Sequence, residues 1–243
     1  QDSTFQNTKT AIDISYFINY DTRFYLGYQS TVSSDIQNTG NSIISDYNNS
    51  FITTNLDYSQ NDYTKPLSFN QSTLLLKTGF GSRETNNQAE NSKTNKQFFV
   101  ELRAAFTFYL NSKNNLNLKT QNYYLHSSNY YTNELYRFGG INSIRGFTEN
   151  SLAAHFMTSI LTEYRYIVSP SLYLHTILDY CRLESPNAAE NTDKKTKLLG
   201  IGLGLGVQTT AGLLKISVAN GSSGSEQIKF SNTIMHISYN VKF

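Results

Sequence analysis

Apolar and polar residues alternate along most of this chain, and the alternation recurs from end to end. Side chains two apart share one face of an extended strand, so a period of two marks strands with one greasy and one polar face. The C-terminal segment is the clearest case. Thr233, Met235, Ile237, Tyr239, Val241 and Phe243 form one face, and His236, Ser238, Asn240 and Lys242 form the other. Ile12, Ile14, Tyr16 and Ile18 alternate with Asp13, Ser15 and Asn19, and Phe24, Leu26 and Tyr28 follow an Asn19–Thr22 turn. Phe98, Val100, Leu102, Phe106, Phe108 and Leu110 alternate with Glu101, Arg103, Thr107 and Tyr109. Leu199, Ile201, Leu203, Leu205 and Val207 alternate with glycines.

The pattern predicts about eleven strands joined by connections that alternate short and long. Long connections are expected at Ser33–Ser50, Gly81–Asn95, Asn129–Asn150, Glu184–Thr196 and Gly221–Lys229, with one exception to the alternation at Gln60–Gln71. Long strands with short turns on one side and longer loops on the other describe a transmembrane antiparallel β-barrel, whereas strands of a soluble sandwich run shorter.

Composition agrees. Only 16% of the residues are charged, 14% are aromatic with no Trp, and three are Pro. The mean hydropathy is −0.43. No run of about 18 or more apolar residues exists, which excludes a bundle of membrane helices. A barrel strand needs only alternate residues to be apolar. The net charge of +2 comes without a basic patch, so nucleic acid is not an expected partner. The lone Cys181 excludes an intrachain disulfide, and the dispersed His126, His155, His175 and His236 match no metal site. The opening QDSTFQNTKT lacks the apolar core of a signal sequence.

One stretch stands apart, LYRFGGINSIRGF at Leu135–Phe147. Gly139 and Gly140 permit a sharp reversal, Arg145 supplies a planar charged fork, Gly146 allows close approach to a wall, and Phe147 follows. After it come LTEYRY at Leu161–Tyr166 and ILDYC at Ile177–Cys181. Strand parity sets Met157, Ser159, Leu161, Glu163 and Arg165 on one face, opposite the greasy Phe156, Ile160, Tyr164 and Tyr166. On the next strand Tyr173, His175, Asp179 and Cys181 lie opposite Leu172, Leu174, Leu178 and Tyr180. With the greasy faces toward lipid, Glu163 and Asp179 project into the lumen from adjacent strands. Gly200, Gly202, Gly204 and Gly206 leave the neighbouring wall bare, which serves curvature.

These segments, in this order and with an aromatic C-terminus, resemble the loop-six signature of the BamA/TamA outer-membrane assembly family, which two-partner secretion transporters share. The resemblance covers Leu135–Phe243; residues 1–134 match as generic barrel strands. Cys181 stands where the family usually has Gly, and Ile177 where it has an aromatic. The resemblance implies that loop 129–150 folds back into the lumen, where the bare wall at Gly200–Gly206 leaves room for it. It also implies that Arg145 is latched on an acidic wall residue in a charge-assisted pair, with Asp179 the first choice and Glu163 the second, and that Phe243, Val241, Tyr239 and Ile237 form the assembly signal and seam strand. It further implies a roughly sixteen-stranded barrel, of which residues 1–243 are the C-terminal part. The missing strands are expected upstream of Gln1 or in another chain, since an odd, open sheet would leave an edge unsatisfied in lipid. A miscounted strand near Gln60–Gln71 is the alternative.

The expected function is insertion and folding of other barrel proteins through a lateral seam in the bacterial cell outer membrane. Alternatives are a polypeptide secretion transporter of the same family and a passive porin or structural barrel. Expected partners are outer-membrane lipid, unfolded outer-membrane proteins or a secreted polypeptide, periplasmic domains and accessory lipoproteins. No enzyme chemistry and no cofactor are expected: the Gly200–Gly206 run opens no helix, and no nucleophile elbow occurs.

Overall fold

The computed structural model describes residues 5–36, 44–61, 67, 70–85, 93–187, 192–224 and 229–241. They form an eleven-stranded antiparallel sheet, with a two-stranded ribbon inside the longest connection. The strands are β1 (Phe5–Phe17), β2 (Thr22–Asp35), β3 (Tyr47–Asn61), β4 (Asn70–Thr85), β5 (Lys93–Tyr109), β6 (Asn114–His126), β7 (Tyr136–Phe138), β8 (Leu152–Ala154), β9 (Phe156–Ser169), β10 (Leu172–Asn187), β11 (Thr192–Gln208), β12 (Gly212–Ser223) and β13 (Thr233–Val241). Each strand of the large sheet pairs with its sequence neighbour, except that β6 pairs with β9 and the β7–β8 ribbon departs from the wall between them. Up-and-down order of this kind is the architecture of a transmembrane β-barrel wall. Among the described residues, β1 pairs only with β2 and β13 only with β12, so each end of the sheet presents a free edge.

The strands run longer than the alternation indicates. β5 and β11 reach 17 residues, and β2, β3, β4 and β10 continue into stretches expected to be loop. Polar residues fill those extensions, so the apolar period fades there while the backbone ladder continues. The connection at Gln60–Gln71 separates two genuine strands, and the described sheet holds the eleven expected.

The faces follow the alternation. Ile160, Tyr164, Leu174, Leu178, Tyr180, Ile201, Leu203, Met235, Ile237, Tyr239 and Val241 point out and are exposed. An apolar outer face is what a lipid-embedded strand requires. Met157, Leu161, Glu163, Arg165, Tyr173, His175, Asp179 and Cys181 point in and are buried. Tyr123 belongs to the inner face and stacks on Tyr136, with ring centroids 4.4 Å apart; it is not part of an aromatic girdle at the membrane surface. Lys242 and Phe243 lie outside the described residues, so the expected terminal signal is represented by Ile237, Tyr239 and Val241 on β13.

Candidate functional site: the inserted loop and its lumenal partners

The ribbon brings the tip inward. Tyr136 pairs with Ala154 and Phe138 with Leu152. Gly139 and Gly140 then turn the chain at φ of +112° and +97°, where side chains are strained. A Cβ on Gly139 would stand 2.6 Å from the Thr148 carbonyl, and one on Gly140 would strike Glu149. The turn closes with Ser143 N–H donating to the Gly140 carbonyl and Gly140 N–H to the Ile144 carbonyl, each at 3.1 Å. The next two side chains, Ile144 and Arg145, are thereby aimed at the wall.

Arg145 is 3% exposed. Its Nε donates to Oδ2 of Asp179 at 2.7 Å and its Nη2 to Oδ1 at 2.5 Å, a two-pronged pairing. Its own main-chain N–H donates to Oδ2 at 3.0 Å. Nη1 meets Oε1 of Glu163. The second oxygen of Glu163 accepts from Arg165, Nε at 2.7 Å and Nη2 at 2.5 Å. Two guanidiniums and two carboxylates thus form a neutral, buried, mutually hydrogen-bonded cluster. Burying such charges is tolerable only because each is paired. Asp179 and Glu163 both engage Arg145, and Asp179 receives three of its donors where Glu163 is shared with Arg165.

An apolar contact adjoins the ionic one. Ile144 is fully buried and packs in a cluster with Phe138, Ala154, Met157, Leu161, Cys181, Leu183 and Leu198. Cys181, fully buried, belongs to this same cluster. Gly146 sits at φ +87°, and a Cβ there would lie 2.5 Å from backbone atoms of Asn220 and Gly221 on β12. Its N–H donates to Nε2 of His236 on β13 at 3.1 Å. Phe147 packs against Gly221.

The glycine-lined wall divides. A Cβ on Gly200 would run into the Arg145 carbonyl, so this glycine admits the loop. Gly204 and Gly206 instead lie under the rings of His175 and Tyr173, which fold flat across the wall. Ile144, Arg165 and His236 are site residues that sequence reasoning did not single out. The inward parity of Arg165 and His236 was readable, but their partners were not. No group of side chains able to hold a metal occurs among the described residues.

No family model matches the chain, and no curated protein does. Among solved structures, CdiB from Acinetobacter baumannii superposes with a TM-score of 0.63 at 16% identity, covering 98% of this chain and 42% of that one. The chain thus spans less than half the length of CdiB, and the likeness is one of fold alone.

Proposed function

We propose that this chain is part of an outer-membrane barrel that handles other polypeptides, and that it folds or inserts barrel proteins through the seam beside β13. The observation that carries this reading is the junction of loop and seam. Arg145 is locked on the lumenal wall, and the next residue, Gly146, is bonded to His236 on the strand with the free edge. A loop fixed in this way keeps β12 and β13 in register while the outer edge of β13 stays open. Unpaired N–H and C=O groups on such an edge are a template for an incoming strand. The free edge of β1 would be continued by strands upstream or in another chain, and periplasmic domains and lipoproteins would deliver the client. No covalent chemistry is part of this reading.

Secretion of a polypeptide through the lumen is the second reading. It is favoured by a polar cavity of about 320 Å³ between the loop and the first six strands, bordered by Lys9, Lys77, Glu101 and Arg103. Withdrawal of the loop would join this space to the rest of the lumen.

Site-directed photocrosslinking in outer membranes tests both. A crosslinker at Ile237 on β13 should trap unfolded barrel proteins if the seam is the working surface. A crosslinker at His175 in the lumen should trap an exported polypeptide if the chain is a secretion transporter. Trapping at neither position, with steady ion conductance while the loop is inserted, would leave a passive porin and overturn the proposal.

A further inference from the structure

The inserted loop has two limbs, and they are held differently. The returning limb, β8, runs straight into β9, and His155 at that junction is bonded through its backbone to Leu125 of β6 and Glu184 of β10. The outgoing limb leaves β6 at His126, and from there to the β7–β8 ribbon its fixation falls to side chains.

Those side chains form a second buried ionic site, against β4 and β5. Arg83 on β4 pairs with Glu134, the two side chains being 0% and 2% exposed. Arg83 also donates to the Asn129 carbonyl at 3.2 Å and to the Asn129 side chain at 2.5 Å. Its guanidinium lies 4.4 Å from the centroid of the Tyr131 ring. Gln97 on β5 donates to the other Glu134 oxygen at 2.9 Å and to Ser127 at 3.0 Å. Beside them Asn133 donates to Ser33 and to the Ser45 carbonyl, both at 2.8 Å, while its own carbonyl accepts from Asn7 on β1. None of these residues belongs to the Arg145 cluster.

We propose that Arg83 and Glu134 are a second clasp, which positions the outgoing limb so that Arg145 stays seated on Asp179. The proposal rests on the reading that the loop works from inside the lumen. Breaking the clasp leaves the stretch between His126 and the β7–β8 ribbon held by Asn133, so the base of the ribbon should move more freely and the tip should leave its carboxylates more often. The pair acts through Arg145 and touches no client.

Cys181 reports the outcome, because it is fully buried in the cluster that holds Phe138 and Ile144 of the inserted loop. The full-length protein is placed in outer-membrane vesicles, with every cysteine other than Cys181 replaced by serine, and labelled with a membrane-impermeant maleimide. Arg83→Ala should speed Cys181 labelling. Arg83→Glu, which sets two carboxylates face to face, should speed it further. The exchange of both charges, Arg83→Glu with Glu134→Arg, should return labelling toward the unmodified rate, a rescue that general destabilisation would not give. Glu134→Gln, which keeps the shape of the side chain, substitutes for Arg83→Ala if the latter fails to assemble. The clasp is overturned if the Arg83 and Glu134 variants label like the parent while Arg145→Ala labels at least tenfold faster, or if the exchanged pair is no better than Arg83→Glu alone. If Arg145→Ala also leaves Cys181 protected, the inserted-loop reading itself fails.

Discussion

The main-chain N–H of Gly146 donates to Nε2 of His236, 3.1 Å away and 90 residues later in the chain. The donor is an amide, so the imidazole must be the acceptor at this nitrogen and carries its proton on Nδ1. The tip of the loop and the last described strand are therefore coupled by one defined bond, next to the buried Arg145 cluster.

Removing that acceptor should loosen the tip from the seam. His236→Ala leaves the Gly146 N–H without a partner in a buried place, a cost of about 1–3 kcal/mol. The expected result is a lower temperature for loss of the compact form on semi-native gels, with the strand content of the barrel unchanged by circular dichroism. An unshifted transition would count against the bond.

The two carboxylates should not be equivalent. Asp179→Asn removes the negative charge and one of the two oxygens that Arg145 grips, setting an NH2 donor against a guanidinium and leaving it underpaired at about 3–5 kcal/mol. Glu163→Gln leaves the Asp179 fork in place and falls more heavily on Arg165. Thermal transitions of both variants should drop, whereas maleimide access to Cys181 should rise more for Asp179→Asn. Greater access in Glu163→Gln would reverse the ranking.

Glycines that admit the loop should be distinguishable from a glycine that does not. Gly146→Ala combines a positive φ, costing about 1–2 kcal/mol, with collision against the β12 backbone. Gly200→Ala collides with the Arg145 carbonyl. Both should raise Cys181 labelling. Gly224 also has positive φ but faces open space, so Gly224→Asn should behave like the parent protein. Equal behaviour of all three would contradict the close approach.

Ile144 should matter although it carries no charge. It is fully buried in the cluster that contains Cys181, and Ile144→Ala should cost about 2–5 kcal/mol. Ile237→Ala on the lipid-facing side of β13, 62% exposed to the surroundings, should shift the melting transition far less. Melting of the purified barrel in detergent, followed by tryptophan-free near-ultraviolet signals of its tyrosines, makes the comparison.

Much of this architecture is local and therefore readable along the chain. The period of two follows from strand geometry alone. It sets Ile160, Tyr164 and Tyr166 outward and Glu163 and Arg165 inward before any partner is known. The Gly139–Gly140 turn and the Arg145 fork are likewise properties of neighbouring residues. Where the polar extensions of β2–β5 and β10–β11 begin, the apolar period weakens, and there the strand ends could not be read.

The sequence by itself determined where strands run, their outer and lumenal faces, and the inward aim of Glu163 and Asp179. Only the tertiary structure decided that Arg145 meets both carboxylates, that Gly146 reaches His236, that Ile144 and Cys181 share one cluster, that Gly200 faces the loop while Gly204 and Gly206 face rings, and that Arg83 grips Glu134. Each of these joins residues far apart in the chain. Their meeting depends on how the sheet curves and how deep the ribbon enters, and no local period encodes either quantity.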